Sequence, residues 1–540
     1  MTINDSASLA GLPSASELEA LANAYFPEFN APACADGIEK LLVSGDTSII
    51  NYAAQKAQGN YSKFTLNEAD FNSVISDLKK IENVPSYGTV ESTAQSAQPP
   101  QTAGYSPVVV SQTEAETGDF AQPKLLHNES KNRSGIIVGT KSLEQIRADF
   151  PILQEKVNGH DLVWLDNGAT TQRPQAVIDR LVYYYTHENS NVHRGAHELA
   201  ARSTDAYENA RQIVADFLGA PSKDNIVFVR GTTEGINLVA QAYVKQYLQP
   251  GDEIIVTLLE HHANIVPWQL VAQETGAVIK VVPVDSDGQI ILSEYEKLFT
   301  PHTKFVSATH VSNALGTITP VHELVSIAHR HGVRILIDGA QSIAHIPINL
   351  TELDADFFVF SGHKIFAPTG IGAVYGKSEL LEAARPYHGG GNMIKDVTFE
   401  RTIYNPAPNK FEAGTGSIAD AVGLGAALEY LNSIGMEAIN RHEHDLLVYA
   451  MKEMRKIKGL HLVGTASQKA SVLSFKLDGV SDEQVGKALN DLGIAVRTGH
   501  HCAQPILRHF GLESTVRPTL ALYNSPDDID ALVRGIRTLV

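Results

Sequence analysis

The sequence predicts a large α/β domain on a mostly parallel seven-stranded sheet, then a smaller C-terminal α+β domain, with a largely disordered extension in front. Three observations predict it. Seven apolar runs, IVFVRG, DEIIVT, AVIKVVPV, KFVSATH, RILIDGAQ, DFFVFSGHK and GIGAVYG, are separated by segments of helical character. Several are continuously apolar rather than alternating, as in strands covered by helices on both faces. From about residue 417 the chain becomes helix-rich, with two further strand candidates in VLSFKL and IAVRTG. Near residue 130 the composition changes: no arginine precedes Arg133, and residues 1–125 carry 15 acidic side chains against 6 lysines.

Taken in order, residues 1–83 hold short amphipathic segments. Leu18, Leu21, Ala22 and Tyr25 form one apolar stripe, with Ser14 and Glu17 at capping-box spacing. Ile38, Leu41 and Leu42 form a second stripe, and Phe71, Val74, Ile75 and Leu78 a third. Helices that short are marginal alone in water, so this region reads as a tethered docking element that folds against a partner surface. A small helical domain packed on the rest, or a dispensable tail, are the alternatives. Residues 84–142 are rich in Pro, Gln and Ser and read as a linker. Residues 143–416 form the large domain, its first residues packing with the small one, and residues 417–540 form the small domain. SLEQIRADF starts a helix, and DLVWLDNGATT is a strand running into a turn. IVFVRGTTEGINLVAQAYVKQYLQPGD is a strand, a Gly turn and one helix with Ile236, Val239, Ala240, Tyr243 and Tyr247 on its apolar face. SPDDIDALVRGIRTLV is a closing helix with a good start.

The 540 residues have 61 acidic against 43 basic side chains, a formal charge of -18. That argues against sequence-independent nucleic-acid binding, which needs a basic surface. The two cysteines, Cys34 and Cys502, build neither a disulfide framework nor a cysteine-rich metal site, and no metal is expected. No apolar stretch reaches 18 residues, and MTINDSASLAGLPS lacks a basic n-region, so the expected setting is a reducing cytoplasm without a membrane span.

In open α/β sheets the chemistry lies beyond the carboxyl ends of the strands. After IVFVR come Gly231, Thr232, Thr233 and Glu234, whose backbone N–H groups and hydroxyls suit a phosphate. Neither GxxxxGK[ST] nor GxGxxG is present, and alone the segment reads more plainly as a Thr N-cap. After RILI comes Asp338, an acid that can keep a ring nitrogen protonated, as a pyridoxal electron sink requires. After DFFVF come Ser361, His363 and Lys364. A lysine there is costly unless paired or used chemically, and it suits covalent attachment to an aldehyde cofactor, with Ser361 and His363 in reach of its phosphate. The three together point to pyridoxal 5′-phosphate. His261 fits as a ring stacked on that cofactor and as an aid to proton transfer, while Asn313 and Gln341 suit the pyridine oxygen. In RTGHHCAQP, Cys502 follows Arg497, His500 and His501 in a polar loop, the setting of a reactive cysteine rather than an inert one. Arg517 is a candidate for gripping a carboxylate.

Across 143–540 the residues resemble the type II cysteine desulfurases, the selenocysteine-lyase-like branch of the class V aminotransferase fold (fold type I of the pyridoxal-phosphate enzymes). The segments that carry the resemblance are LDNGATTQRP, NVHRGAHELA, FVRGTTEGINLVA, EHHANIVPWQ, HVSNALGT, DGAQS, FSGHKIFAPTGIG, GGGNMI, FEAGT, RTGHHCAQP and RPTLALYN. The resemblance implies removal of sulfur from L-cysteine, giving L-alanine and a persulfide on Cys502. It implies that Lys364 holds the cofactor, that Thr232, Thr233, Ser361 and His363 bind its phosphate, and that Thr415 of the partner subunit joins them in a homodimer. Asp338 and Gln341 then address the ring, His261 stacks on it, and Asn313, Arg497 and Arg517 surround the substrate carboxylate, with His193 near the substrate. Gly168 departs from the family, which usually has Ala there. The extension, above all LAGLPSASELEALANAYFPE (9–28), resembles the cargo-loading region of desulfurases packaged in family 2A encapsulins. That implies residence inside an encapsulin nanocompartment, docking on the shell protein through residues 1–125, and a role in sulfur storage or mobilisation with a sulfur-acceptor protein as a further partner. Alternatives are a selenocysteine lyase, a cytosolic desulfurase feeding iron–sulfur assembly, an ordinary aminotransferase, and a shell-interior component with residual activity; RTGHHCAQP argues against the aminotransferase.

Overall fold

The computed structural model describes residues 135–192 and 195–540. The docking segments of 1–83, nearly all of the linker, Cys34 and His193 lie outside the described residues.

All seven apolar runs are strands of one sheet: β1 Ile226–Val229, β2 Glu253–Thr257, β3 Val278–Val282, β4 Thr303–Thr309, β5 Arg334–Asp338, β6 Phe357–Ser361 and β7 Gly372–Gly376. Their spatial order is β1-β7-β6-β5-β4-β2-β3. Every neighbouring pair is parallel except those of β7, which runs antiparallel to both β6 and β1. Because β7 reverses direction between them, β1 and β6 point the same way and end at the same edge of the sheet. Every residue of β1, β6 and β7 is buried, which is why these runs do not alternate. Two apolar clusters cover the two faces of the sheet, one around Ile255, Val306 and Ile337, the other around Ile254, Phe305 and Leu336. AVIKVVPV becomes the edge strand β3, leaving Val278 and Val281 each 47% exposed.

The segment after β1 differs from the single helix expected. It is α-helical over Thr232–Leu238, makes a π turn over Val239–Tyr243 and tightens to a 3₁₀ turn over Val244–Tyr247. The wide turn holds one extra residue, which rotates the next turn of helix by roughly 100°. Ile236, Val239, Ala240 and Tyr243 stay buried, but Tyr247 is turned out to 49% exposure.

The C-terminal part contains a four-stranded antiparallel sheet: β8 Leu460–Leu462, β9 Phe475–Leu477, β10 Arg497–Gly499 and β11 Thr515–Arg517, in the order β8-β9-β11-β10. Two of these strands, β8 and β11, escape the sequence reading because three residues show no periodicity. IAVRTG divides: Ile494–Ala495 pairs in parallel with Val163–Trp164, and only Arg497–Gly499 joins the small sheet. The segment that leads into LDNGATT is thereby fastened to the small domain, as Asp166 bridges to Thr519. The first described helix, Leu143–Ala148, has a complete capping box between Ser142 and Gln145, and the last, Pro526–Arg537, has one between Ser525 and Asp528. No described helix is long and apolar enough to cross a membrane.

Candidate active site

Since β4, β5 and β6 are parallel and in register, Thr309 pairs with Asp338 and Asp338 with Val359, so their polar carboxyl ends lie together. They face the loop between β10 and β11 across a cavity of about 500 Å³. Of the cofactor, catalytic and substrate side chains expected from the sequence, every described one lines this cavity except Thr415. Thr415 is exposed in its own chain, with Oγ1 3.5 Å from Asn191 Oδ1.

At one end, Gly231 has φ +150°, and a Cβ there would lie 3.0 Å from Ser361 Oγ. The glycine lets the loop close onto the end of β6. Ser361 Oγ accepts the Thr232 N–H at 2.8 Å and shares a hydrogen bond with Thr232 Oγ1 at 2.9 Å. The His363 ring beside them is kept neutral, its pKa pushed down to about 4 by burial and then by Lys364.

At the middle, Asp338 is 3% exposed and accepts the Ala340 N–H at 2.9 Å. Burial pushes its carboxyl up, against the pull of that N–H and of Lys364. Burial also pushes the Lys364 amine down to about 8, with Asp338 opposing. An acid and an amine of opposed tendency therefore face one space, a pattern of functional sites. His261 Nδ1 accepts the Ala263 N–H at 3.0 Å, which puts the ring's proton on Nε2. Burial and Lys364 push its pKa down to about 3, so the ring is neutral. Gln341 Nε2 donates to Gly168 O at 2.7 Å.

The opposite wall is the cysteine loop. His501 and Cys502 have φ of +51° and +53°, a left-handed pair without glycine. The turn is held by several contacts: Asn313 Nδ2 donates to His501 O at 2.6 Å, the Cys502 N–H donates to His500 Nδ1 at 3.0 Å, and the His262 N–H donates to Cys502 O at 2.8 Å. The loop carrying His261 and the loop carrying Cys502 are thus joined directly.

Arg517 is 2% exposed and donates from Nη1 to Asn313 O at 2.9 Å; burial pushes its pKa down to about 10, with Asp166 opposing. Arg497, paired with Arg517 in strand register, donates from Nε and Nη2 to Asp166 Oδ2 at 3.2 and 3.1 Å. Asn313 Oδ1, Asp166 Oδ1 and Arg517 Nε are buried without a hydrogen-bond partner. Asn313 and Arg517 line the cavity, and an orphaned acceptor and donor there mark the place of a polar ligand.

These residues fit pyridoxal 5′-phosphate: a hydroxyl-lined glycine turn for the phosphate, Asp338 for a ring nitrogen and Lys364 for the aldehyde carbon. Sequence reasoning missed Asp166 and the parts played by His500 and Gly168. Asp166 has the same signature as Asp338, an acid ending an apolar run in LVWLD, but the polar turn directly after it masks that signal. At Gly168 a Cβ would lie 3.0 Å from Thr519 Cγ2 and 3.2 Å from Arg517 Nη2.

The family model described as aminotransferase class-V matches residues 163–532. A cysteine desulfurase of Synechococcus elongatus is 63% identical over 397 residues, 74% of this chain and 63% of that protein. A probable cysteine desulfurase of Vibrio cholerae is 46% identical over 399 residues, 74% of this chain and 98% of that protein. The matched part of the chain spans less than two thirds of the Synechococcus relative and 58% of a similar Mycolicibacterium paratuberculosis protein. Among solved structures, the S-sulfonic acid form of the Escherichia coli cysteine desulfurase CsdA has a TM-score of 0.69 at 40% identity, covering 74% of this chain and 98% of its own. The apo cysteine desulfurase of Thermococcus onnurineus has a TM-score of 0.70 at 36% identity, with the same coverage.

Proposed function

The chain belongs to the class-V aminotransferase family, and on that premise we propose that it is a pyridoxal-phosphate-dependent cysteine desulfurase of the type II branch. The observation that carries this reading is one cavity with Lys364 and Asp338 on one wall and Cys502, next to a buried arginine, on the other. When bound, pyridoxal 5′-phosphate supplies the electron sink that lets the Cα–H bond of an amino acid break. Lys364 would hold it covalently, Thr232, Thr233, Ser361 and His363 its phosphate, Asp338 and Gln341 its ring, and His261 would cover one face.

The chain's own residues divide the remaining work. Arg517 and Asn313, with Arg497 beside them, hold the carboxylate of L-cysteine, and the family resemblance assigns His193 to the substrate as well. Lys364 Nζ, partly neutral near pH 8, takes the Cα proton. Cys502 Sγ attacks the substrate sulfur: an S–S bond forms as the Cβ–S bond breaks, and the pair from that bond stays on Cβ. Protonation of Cβ and return of a proton from Lys364 to Cα release L-alanine and leave the transferred sulfur as a persulfide on Cys502. Thr415, exposed in its own chain, would complete the phosphate site of the partner subunit in a homodimer.

The test is turnover of purified protein with L-cysteine, following alanine and persulfide together. The wild type is expected to yield alanine with persulfide trapped on Cys502. C502A should keep the cofactor and lose sulfur transfer, and K364A should lose both the covalently held cofactor's absorbance and turnover. Full activity in C502A would sink the role of Cys502. Activity of C502A toward L-selenocysteine alone would turn the reading to a selenocysteine lyase, since selenide leaves more readily than sulfide.

For residues 1–125 we propose docking inside an encapsulin shell, which would make this a packaged desulfurase serving sulfur storage or mobilisation. The likeness of residues 9–28 to such cargo regions and the acidic, arginine-free composition support it. Deleting 1–125 should leave desulfuration intact and abolish shell loading; a truncated enzyme still found within shells would sink the docking role.

A further inference from the structure

Asp166 stands behind Arg497 and Arg517, the two arginines that line the cavity, and the proposed reaction gives it no task. Its side chain is 13% exposed. Arg497 places both Nε and Nη2 on one carboxylate oxygen, Oδ2, at 3.2 and 3.1 Å. The other oxygen, Oδ1, stands 3.6 Å from Arg517 Nη2, too far for a hydrogen bond, and no donor reaches it. Arg517 is wedged against the Asn313 carbonyl, while Arg497 is half exposed. The subsite thus holds two guanidinium charges and one carboxylate, a balance of one positive charge. His261 and His501 nearby are neutral, each with its pKa pushed down to about 3. Lys364 is the further cation facing this space.

We propose that Asp166 is a specificity residue: by occupying Arg497 it leaves one positive charge for one substrate carboxylate, and so turns away amino acids with an acidic side chain. The inference rests on the amino-acid substrate proposed for this site. An α-carboxylate on Arg517 completes the charge balance. A second carboxylate from a side chain would meet an Arg497 whose charge Asp166 already balances. Arg497 is the group that would capture that second carboxylate if Asp166 did not hold it.

The test uses holoenzyme and two ligands that share the Cα frame, L-alanine with one carboxylate and L-aspartate with two. Equilibrium binding is measured by calorimetry for the wild type, D166N and D166N/R497Q. D166N is close to isosteric, and its cofactor content reports whether it folds. D166N is expected to improve L-aspartate affinity relative to L-alanine by about tenfold, the effect of roughly one pKa unit of interaction. D166N/R497Q removes one charge of each sign and should return the ratio to near the wild-type value. With L-cysteine, D166N should change KM more than kcat, which a merely structural role would not separate. An unchanged ratio in D166N overturns the proposal, and so does a changed ratio that the double variant fails to restore. Wild-type enzyme that binds neither amino acid overturns the substrate reading beneath it as well.

Discussion

Lys364 has an ordinary amine pKa of 10.5 that burial lowers to about 8. Between those values the unfolded chain holds a proton that the folded chain has released, so this group makes stability rise with pH across about 8 to 10.5. In cofactor-free protein, the urea midpoint of the wild type is therefore expected to gain on that of K364M as pH rises through this window. A gap that does not change with pH would contradict the lowered amine. Gly168 gives a second expectation at this scale. A methyl group there presses on Thr519 Cγ2 and on the Arg517 guanidinium at 3.0 and 3.2 Å. Arg517 is buried and already committed to Asn313 O, so it has little room to yield. Overpacking of this kind costs about 1–3 kcal/mol. G168A should raise KM for L-cysteine several-fold with unchanged cofactor content; an unchanged KM would show that Arg517 moves freely.

Among the elements, helix Glu198–Leu218 is tied to β1 through a buried ion pair. Arg211, fully buried, donates from Nη1 and Nη2 to Glu412 at 2.6 and 2.9 Å, and also from Nη1 to Ile226 O at 2.9 Å. Glu412 further accepts the Phe228 N–H at 2.8 Å and the Tyr207 hydroxyl at 3.0 Å. One carboxylate thereby joins a helix, an edge strand and the FEAGT segment that carries Thr415. E412A leaves buried Arg211 with only the longer Glu208 ion pair at 3.3 Å, a change that costs about 3 kcal/mol. It should lower the unfolding midpoint strongly, and R211M/E412L should recover much of the loss. If E412A is as stable as the wild type, water reaches Arg211 in solution. The π turn at Val239–Tyr243 belongs to this scale too. Apolar spacing was enough to place a helix after β1, but not to show the extra residue in its turn, since a π turn disturbs the period only past the point where it occurs.

Across the molecule, the described residues hold three apolar clusters: two cover the faces of the seven-stranded sheet, and the third, around Phe475, Leu489 and Leu532, lies under the small one. Among the described residues, their buried members run from Val138 onward. Protein lacking residues 1–125 is expected to unfold within a few degrees of the full chain in a thermal melt. A large drop would mean that the extension packs on the catalytic body, the alternative to docking raised by its composition.

The strands and the chemistry at their ends could be read from local pattern. Asp338, Ser361 and Lys364 follow continuously apolar runs, and burial on both faces of a parallel sheet leaves that mark on each run separately. The glycine turn at Gly231 and the polar cysteine loop are equally local. Chain order does not contain which run lies beside which. β7 comes last of the seven yet sits between β1 and β6, and this alone sets Gly231 against Ser361. Asp166 meets Arg497 across 331 residues, and Asn313 meets the cysteine loop across 188. Such contacts arise from strand pairing and close packing between distant segments, which impose no period on either one. The amino-acid pattern therefore picks out the polar groups at the strand ends, whereas the balance of charge among Asp166, Arg497 and Arg517 arises only when the small domain folds onto the carboxyl ends of the sheet.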